Sequence, residues 1–200
     1  MTKKYFLFYF VIISLFSFGQ ISEGGLPYSF KNSLMVRVSE SFVNAPSDRL
    51  IESISSSDKS SYCVGTKIGV NLHPYNSGTW ISNKDGSRSW FLKITSTNAI
   101  GLSLNYNSFT IPTGAEVFLY NESRTHVIGK FTSSRNEINP ITHTQIIEGS
   151  TTIVEYHEPV NCNEPFVFEI ESIAYYFRGF EDYLAPYKKN SNNSRAEYCQ

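Results

Sequence analysis

The alternation of large apolar and polar residues between Gly78 and Tyr156 restricts what this chain can fold into more than any other feature. The stretch opens GTWISNKDGSRSWFLKITSTNAIGLSLNYNSFTIPTGAEVFLYNESRTHVIGKFTS and closes with TTIVEYHEP. Short runs of period two, punctuated by Gly, Pro, Asn and Asp, suit half-buried antiparallel strands, in which successive side chains point to opposite faces. Trp90, Leu92 and Ile94 fall on one face with Phe91 and Lys93 on the other, and Ile100, Leu102, Leu104 and Tyr106 repeat the device. Pro112-Thr113-Gly114 reads as a turn, because Pro presets one dihedral and Gly accepts a positive one. Further strands are predicted at Val64–Val70, Glu116–Tyr120, His126–Thr132, Thr142–Ile147, Thr151–Tyr156 and Phe166–Phe177. That makes about eight strands at the spacing of sandwiches and barrels. The fold class is all-β, and an antiparallel two-sheet β-sandwich is the simplest way to bury both Trp90 and the Phe166, Phe168, Ile170 face.

The chain has 200 residues and a formal charge of -1, which fits one globular domain with extensions. Its Lys and Arg are scattered, the longest run being Lys188-Lys189, so the basic stripe that nucleic-acid binding needs is missing. Met1 to Lys4 carry two lysines, Tyr5 to Phe18 are almost entirely apolar, and Gly19-Gln20 supplies a small residue for signal peptidase. Residues 1–20 therefore read as a secretory signal peptide. Their apolar run is shorter than the roughly 20 residues of a spanning helix, so no stable membrane anchor is expected after cleavage. The expected address is extracellular or periplasmic. In such an oxidising compartment the odd set Cys63, Cys162 and Cys199 leaves one thiol without a partner. Cys63 and Cys162 either bridge two strands of one domain or remain buried free thiols.

Residues 21–61 form a mixed N-terminal segment and linker. Its opening, ISEGGLPYSF, must be extended or turned, since Gly24-Gly25 disfavour a helix and Pro27 restricts Leu26. After Ala45-Pro46, Leu50, Ile51 and Ile54 recur at helical spacing behind a Ser47 cap, which predicts a short helix starting at Asp48. The β domain occupies residues 62–180. Residues 181–200 lose periodicity, become rich in Asn and Ser, and read as an exposed linker.

Few residues offer chemistry. His143 and His157, with Glu148, Glu155 and Glu158 nearby in sequence, suggest a metal site only loosely, because no His pair has ligand spacing; no metal or cofactor is predicted. The carboxylates Glu155 and Glu158, or Glu169 and Glu171, have the composition of a glycosidase pair, but the latter two share a strand face and suit its polar side. Tyr75, Trp80, Tyr106 and Tyr175 or Tyr176 would make a sugar-stacking platform if they faced outward.

The words ISEGGLPYSF, NSGTW (Asn76 to Trp80), SRSWFLKITSTNAIGLSLNYNSFTIPTGAEVFLYN, VIGKFTS (Val127 to Ser133), VEYHEP (Val154 to Pro159) and a linker ending at a cysteine occur in that order. Together they resemble the pro-region of secreted bacterial trypsin-like serine endopeptidases of the lysyl endopeptidase type. The resemblance implies a β-sandwich that assists folding of the protease and inhibits it until cleavage, with the cognate protease domain as partner and the enzyme beginning near Cys199. It also implies cleavage in the linker, for which Lys188, Lys189 and Arg195 are the candidates. The sequence landmarks of the family's catalytic triad are missing: no Ala-His-Cys surrounds His73, His126, His143 or His157, and no Gly-Asp-Ser-Gly surrounds any serine. These residues are expected to be non-catalytic by themselves. A secreted carbohydrate-binding or adhesion module is the alternative.

Overall fold

The computed structural model describes residues 24–57, 63–136 and 141–179. Two sheets, antiparallel except for one short edge pairing, pack face to face. The larger orders its strands β1 (Glu40–Phe42), β4 (Arg88–Thr95), β9 (Thr151–Glu158), β6 (Glu116–Asn121) and β7 (Val127–Phe131), with β3 (Thr79–Ser82) also on β4. The smaller runs β2 (Gly65–Leu72), β10 (Val167–Tyr176), β5 (Gly101–Thr110) and β8 (Ile147–Glu148). β1 and β3 share one edge of β4: β3 pairs with Arg88 to Phe91, and β1 pairs in parallel with Lys93 to Thr95.

The alternation places the core as the sequence indicates. Trp90, Leu92 and Ile94 of β4 meet Val154 and Tyr156 of β9, Val117 and Leu119 of β6, and Leu102, Leu104, Phe168 and Ile170 from the facing sheet. Trp90 is fully buried, satisfies its indole N–H on the Ser77 carbonyl at 3.0 Å, and takes Phe168 edge-on at 5.6 Å. Ile100 lies just before β5 and is 47% exposed, so only Leu102, Leu104 and Tyr106 of that predicted face reach the core. In β10 the inward residues are Phe168 and Ile170, then Ile173 and Tyr175. A register shift between Ile170 and Ser172 moves the alternation by one residue, which is what a bulge does to a strand.

The predicted helix is present as α2 (Asp48–Ser57), after the single turn α1 (Tyr28–Lys31). The Ser47 hydroxyl accepts from the Leu50 N–H at 3.3 Å, as a cap does. Thr142–Ile147, predicted as one strand, yields only an isolated bridge from His143 to Asn105 and the two-residue β8. β1 and β3 lie outside the predicted strands; both are edge strands of three and four residues, too short for an alternating pattern to mark them.

Candidate functional site: a strap over the larger sheet

Both faces of the larger sheet are covered. On its outer face, register sets Phe91, Glu155 and Phe118 in one row across β4, β9 and β6, and Ser89, His157 and Glu116 in the next. An alternating strand would leave such a face to water, yet Phe91, Phe118, Ser89 and Glu155 are each at most 2% exposed. The cover is the N-terminal segment from Gly24 to Phe42, a strap that crosses the sheet from one edge to the other.

At the β7 edge, the Gly24 N–H donates to the Gly129 carbonyl (3.1 Å) and the Lys130 N–H donates to the Gly24 carbonyl (3.2 Å). Gly25 then passes over the Phe118 ring. Pro27 leads into α1, whose turn aims Tyr28 and Ser29 at β9. The Tyr28 ring stacks on His157 with centroids 3.9 Å apart and planes 10° from parallel, and its hydroxyl donates to Asp85 at 3.0 Å. Phe30 meets Tyr120 edge-on at 4.8 Å, with the Arg124 guanidinium above it. The strap ends at the far edge, where the Ser39 N–H donates to the Thr79 hydroxyl and β1 joins β4.

The centre of this contact is Glu155. Its Oε1 accepts from the Ser29 N–H at 2.7 Å, and its Oε2 accepts from the Ser29 hydroxyl at 2.5 Å and the Tyr120 hydroxyl at 3.0 Å. A buried carboxylate needs such donors, because losing water costs several kcal/mol, roughly, unless the charge is compensated. Compensation is incomplete: burial pushes the Glu155 carboxyl above its ordinary range, against the lowering effect of its donors and of the nearby Arg124 charge. Burial acts oppositely on His157, whose imidazole is held below its usual value.

Ser89 Oγ lies 3.0 Å from His157 Nδ1, and Asp85 is close enough for its charge to act on the ring. This resembles a nucleophile–base pair only in composition. The Ser89 hydroxyl is fully buried, it is shared with the Asn83 amide at 3.0 Å, and the Asp85 carboxylate accepts from Ser87 and Tyr28. An acyl-transfer serine needs access for its substrate and a base oriented by a carboxylate. The strap blocks the first, and the Asp85 bonds go elsewhere.

The other sequence candidates are spread over the fold. His143 bridges to β5 in the smaller sheet and His157 sits in the larger, so the two imidazoles do not converge; among the described residues no group of three His, Cys, Asp or Glu has metal-binding geometry. Glu155 points outward and Glu158 inward, where Glu158 accepts from the Tyr156 hydroxyl at 2.7 Å and pairs with Arg88, so the sheet separates these carboxylates. Glu169 and Glu171 serve Asn107 and Lys67 on the exposed side of β10. Tyr106 and Tyr175 are core residues, which leaves Tyr75 and Trp80 as the exposed members of the aromatic platform, at 88% and 39% exposure.

Cys63 and Cys162 are half-buried free thiols. Val64, beside Cys63, bonds to Phe177 past the end of β10, whereas Cys162 precedes the start of β10 and lies close to Tyr156. The ten residues of β10 separate these ends by about 30 Å, several times the reach of a disulfide. Lys188, Lys189, Arg195, Cys199 and the signal-peptide residues 1–20 lie outside the described residues. No helix among the described residues is long and apolar enough to cross a membrane.

Sequence reasoning missed the strap's seat. Ser29 and Glu155 are 126 residues apart, and Glu155 falls at a position that alternation assigns to solvent. The available signal was Phe91, Phe118 and Tyr120, large apolar or aromatic residues on the nominal polar face of β4 and β6. No protein-family model, curated protein or solved structure matches the chain.

Proposed function

We propose that this chain is the pro-region of a secreted, trypsin-like serine endopeptidase precursor of the lysyl endopeptidase type, which helps the protease domain fold and holds it inactive until the linker is cut. The observation that carries the reading is spatial. ISEGGLPYSF, VIGKFTS and VEYHEP are far apart in sequence, and Gly24 and Ser29 of the strap meet Gly129 and Glu155 of the sheet, with Tyr28 stacked on His157. NSGTW is drawn in as well, since Gly78 lies against Trp90 and Thr79 holds Ser39. Motifs that are weak one by one thus act as parts of a single structural unit, which supports reading them as one signature. A domain that binds the native protease stabilises it by mass action and blocks it through the same contact.

The test is to add the purified secreted chain to an active lysine-specific trypsin-like protease, to the same protease while it refolds from denaturant, and to a glycan array. Inhibition together with a higher refolding yield, and no glycan bound, is the expected result. Glycan binding with neither effect on the protease would replace this reading with a carbohydrate-binding module working through Tyr75 and Trp80. No effect in any arm would discard both.

A further inference from the structure

The outer face also carries a cleft beside the strap latch, with the Tyr28–Asp85 contact in its wall. Its volume is about 530 Å3, and it lies between the strap at Tyr28 and Leu34 to Val36 and the β3–β4 hairpin at Ile81 to Asp85. That volume suits a few side chains of a bound ligand. The hairpin wall is firmly built: the Asn83 N–H donates to the Ser87 carbonyl at 2.8 Å, and the Gly86 N–H donates to the Asn83 carbonyl at 3.1 Å. The strap wall is apolar and adaptable, with Leu34, Val36 and a Met35 that is 99% exposed.

Cations outnumber acids around the cleft, three to the one acid of its lining, Asp85. Lys84 lines it, Lys31 and Arg37 adjoin the lining residues Asn32 and Val36, and all three are exposed. Lys31 is near enough for its charge to act on His157. Lys67, Lys93 and Lys130 each face a carboxylate within 3.6 Å and Arg88 pairs with Glu158, whereas no acid among the described residues pairs with Lys31, Arg37 or Lys84. The acid in the wall, Asp85, keeps its charge, and its carboxylate is turned to the Ser87 N–H and hydroxyl and to Tyr28.

We propose that this cleft binds an extended acidic peptide segment of another protein, which rests an apolar side chain on Leu34, Met35 and Ile81 and sets a carboxylate beside Lys84. The apolar floor disfavours a ligand that is charged throughout, the unpaired cations outnumber Asp85 and favour acid over base, and a cleft of this volume between strap and hairpin holds a few side chains of a short peptide. The proposal does not depend on the pro-region reading.

The purified full-length chain is titrated against a fluorescein-labelled Asp-Glu-Leu-Asp-Glu peptide, with Asn-Gln-Leu-Asn-Gln and Asp-Glu-Gly-Asp-Glu as controls, and anisotropy is read at low and high salt. The acidic leucine peptide should bind best and weaken as salt rises, because the contact is exposed. Lys84→Glu should cost roughly tenfold in affinity or more, Ile81→Asp a similar factor, and Lys84→Arg little. Circular dichroism confirms that each variant is folded, and Lys84 lies in an exposed turn where either replacement is tolerated. The proposal is overturned if the acidic leucine peptide binds no better than its neutral control, or if Lys84→Glu leaves its affinity unchanged.

Discussion

Glu155 exposes under 2% of its surface to water and accepts three hydrogen bonds, two of them from a residue at the other end of the chain. Replacing it with Ala strands Ser29 and Tyr120 as buried donors and opens a gap, which should cost about 2–4 kcal/mol in urea unfolding. Glu155→Gln keeps the shape and removes the charge, and should cost far less. The pH dependence has a definite sign. Because its folded pKa lies above the ordinary 4.5, Glu155 contributes stability that is complete below that value and is lost as pH rises through the folded pKa. His157 works the other way: with a folded pKa below 6.5, its contribution is complete above 6.5 and is lost as pH falls. Glu155→Gln removes the first contribution and leaves the second, so its stability relative to the parent should drop as pH falls through the folded Glu155 pKa toward 4.5. A difference between the two proteins that stays constant from neutral pH down to 4.5 would contradict the assignment. Tyr106 poses a simpler case, since its hydroxyl is buried without a hydrogen-bond partner. Tyr106→Phe should leave the melting temperature unchanged or raise it, the gain being up to about 1 kcal/mol.

At the scale of elements, the turn before β3 depends on one glycine. Gly78 has φ +77°, and a Cβ there would come within 2.5 Å of the Trp90 indole nitrogen and 2.6 Å of the Phe91 carbonyl oxygen. Gly78→Ala must both strain the backbone and displace the central tryptophan, and should destabilise the fold by about 2 kcal/mol or more, visible as a loss of near-ultraviolet dichroism. The strap is the other decisive element. Ser29→Ala removes a charge-assisted bond and should cost about 1–3 kcal/mol, with faster hydrogen exchange at Gly24 and at the backbone of position 29 while the β5 and β10 amides stay protected. What was legible in the sequence divides along the same line. The inward rows, such as Trp90, Leu92 and Ile94, announce themselves because alternation is a local property. The α2 start was legible from Ser47 for the same reason. The seat of the strap was not, because nothing near Glu155 in sequence says that Ser29 will arrive above it. β1 and β3 stayed hidden because their pairing is borrowed from β4 and their own sequences carry little alternation.

For the molecule as a whole, the strap closes what would otherwise be two open sheet edges, bonding to β7 at Gly24 and to β4 through β1. A chain cut between Phe30 and Lys31 should therefore expose Phe91 and Phe118 together with the β7 edge, and should self-associate in a concentration-dependent way by light scattering. The free thiols belong to this scale too. With Cys63 and Cys162 at opposite ends of the sandwich, non-reducing peptide mapping of the purified protein should find no peptide joining them; any bond either forms must reach Cys199 or another molecule.

The distance along the chain between Ser29 and Glu155 also sets a schedule. A chain that leaves the ribosome or the membrane amino end first carries Ser29 into solution while its receiving carboxylate is still 126 residues from being delivered. β9 has to find its place between β4 and β6 before the strap has anywhere to settle. A segment made early is thus seated late in the folding reaction, and contacts of such long range are the slow ones to form.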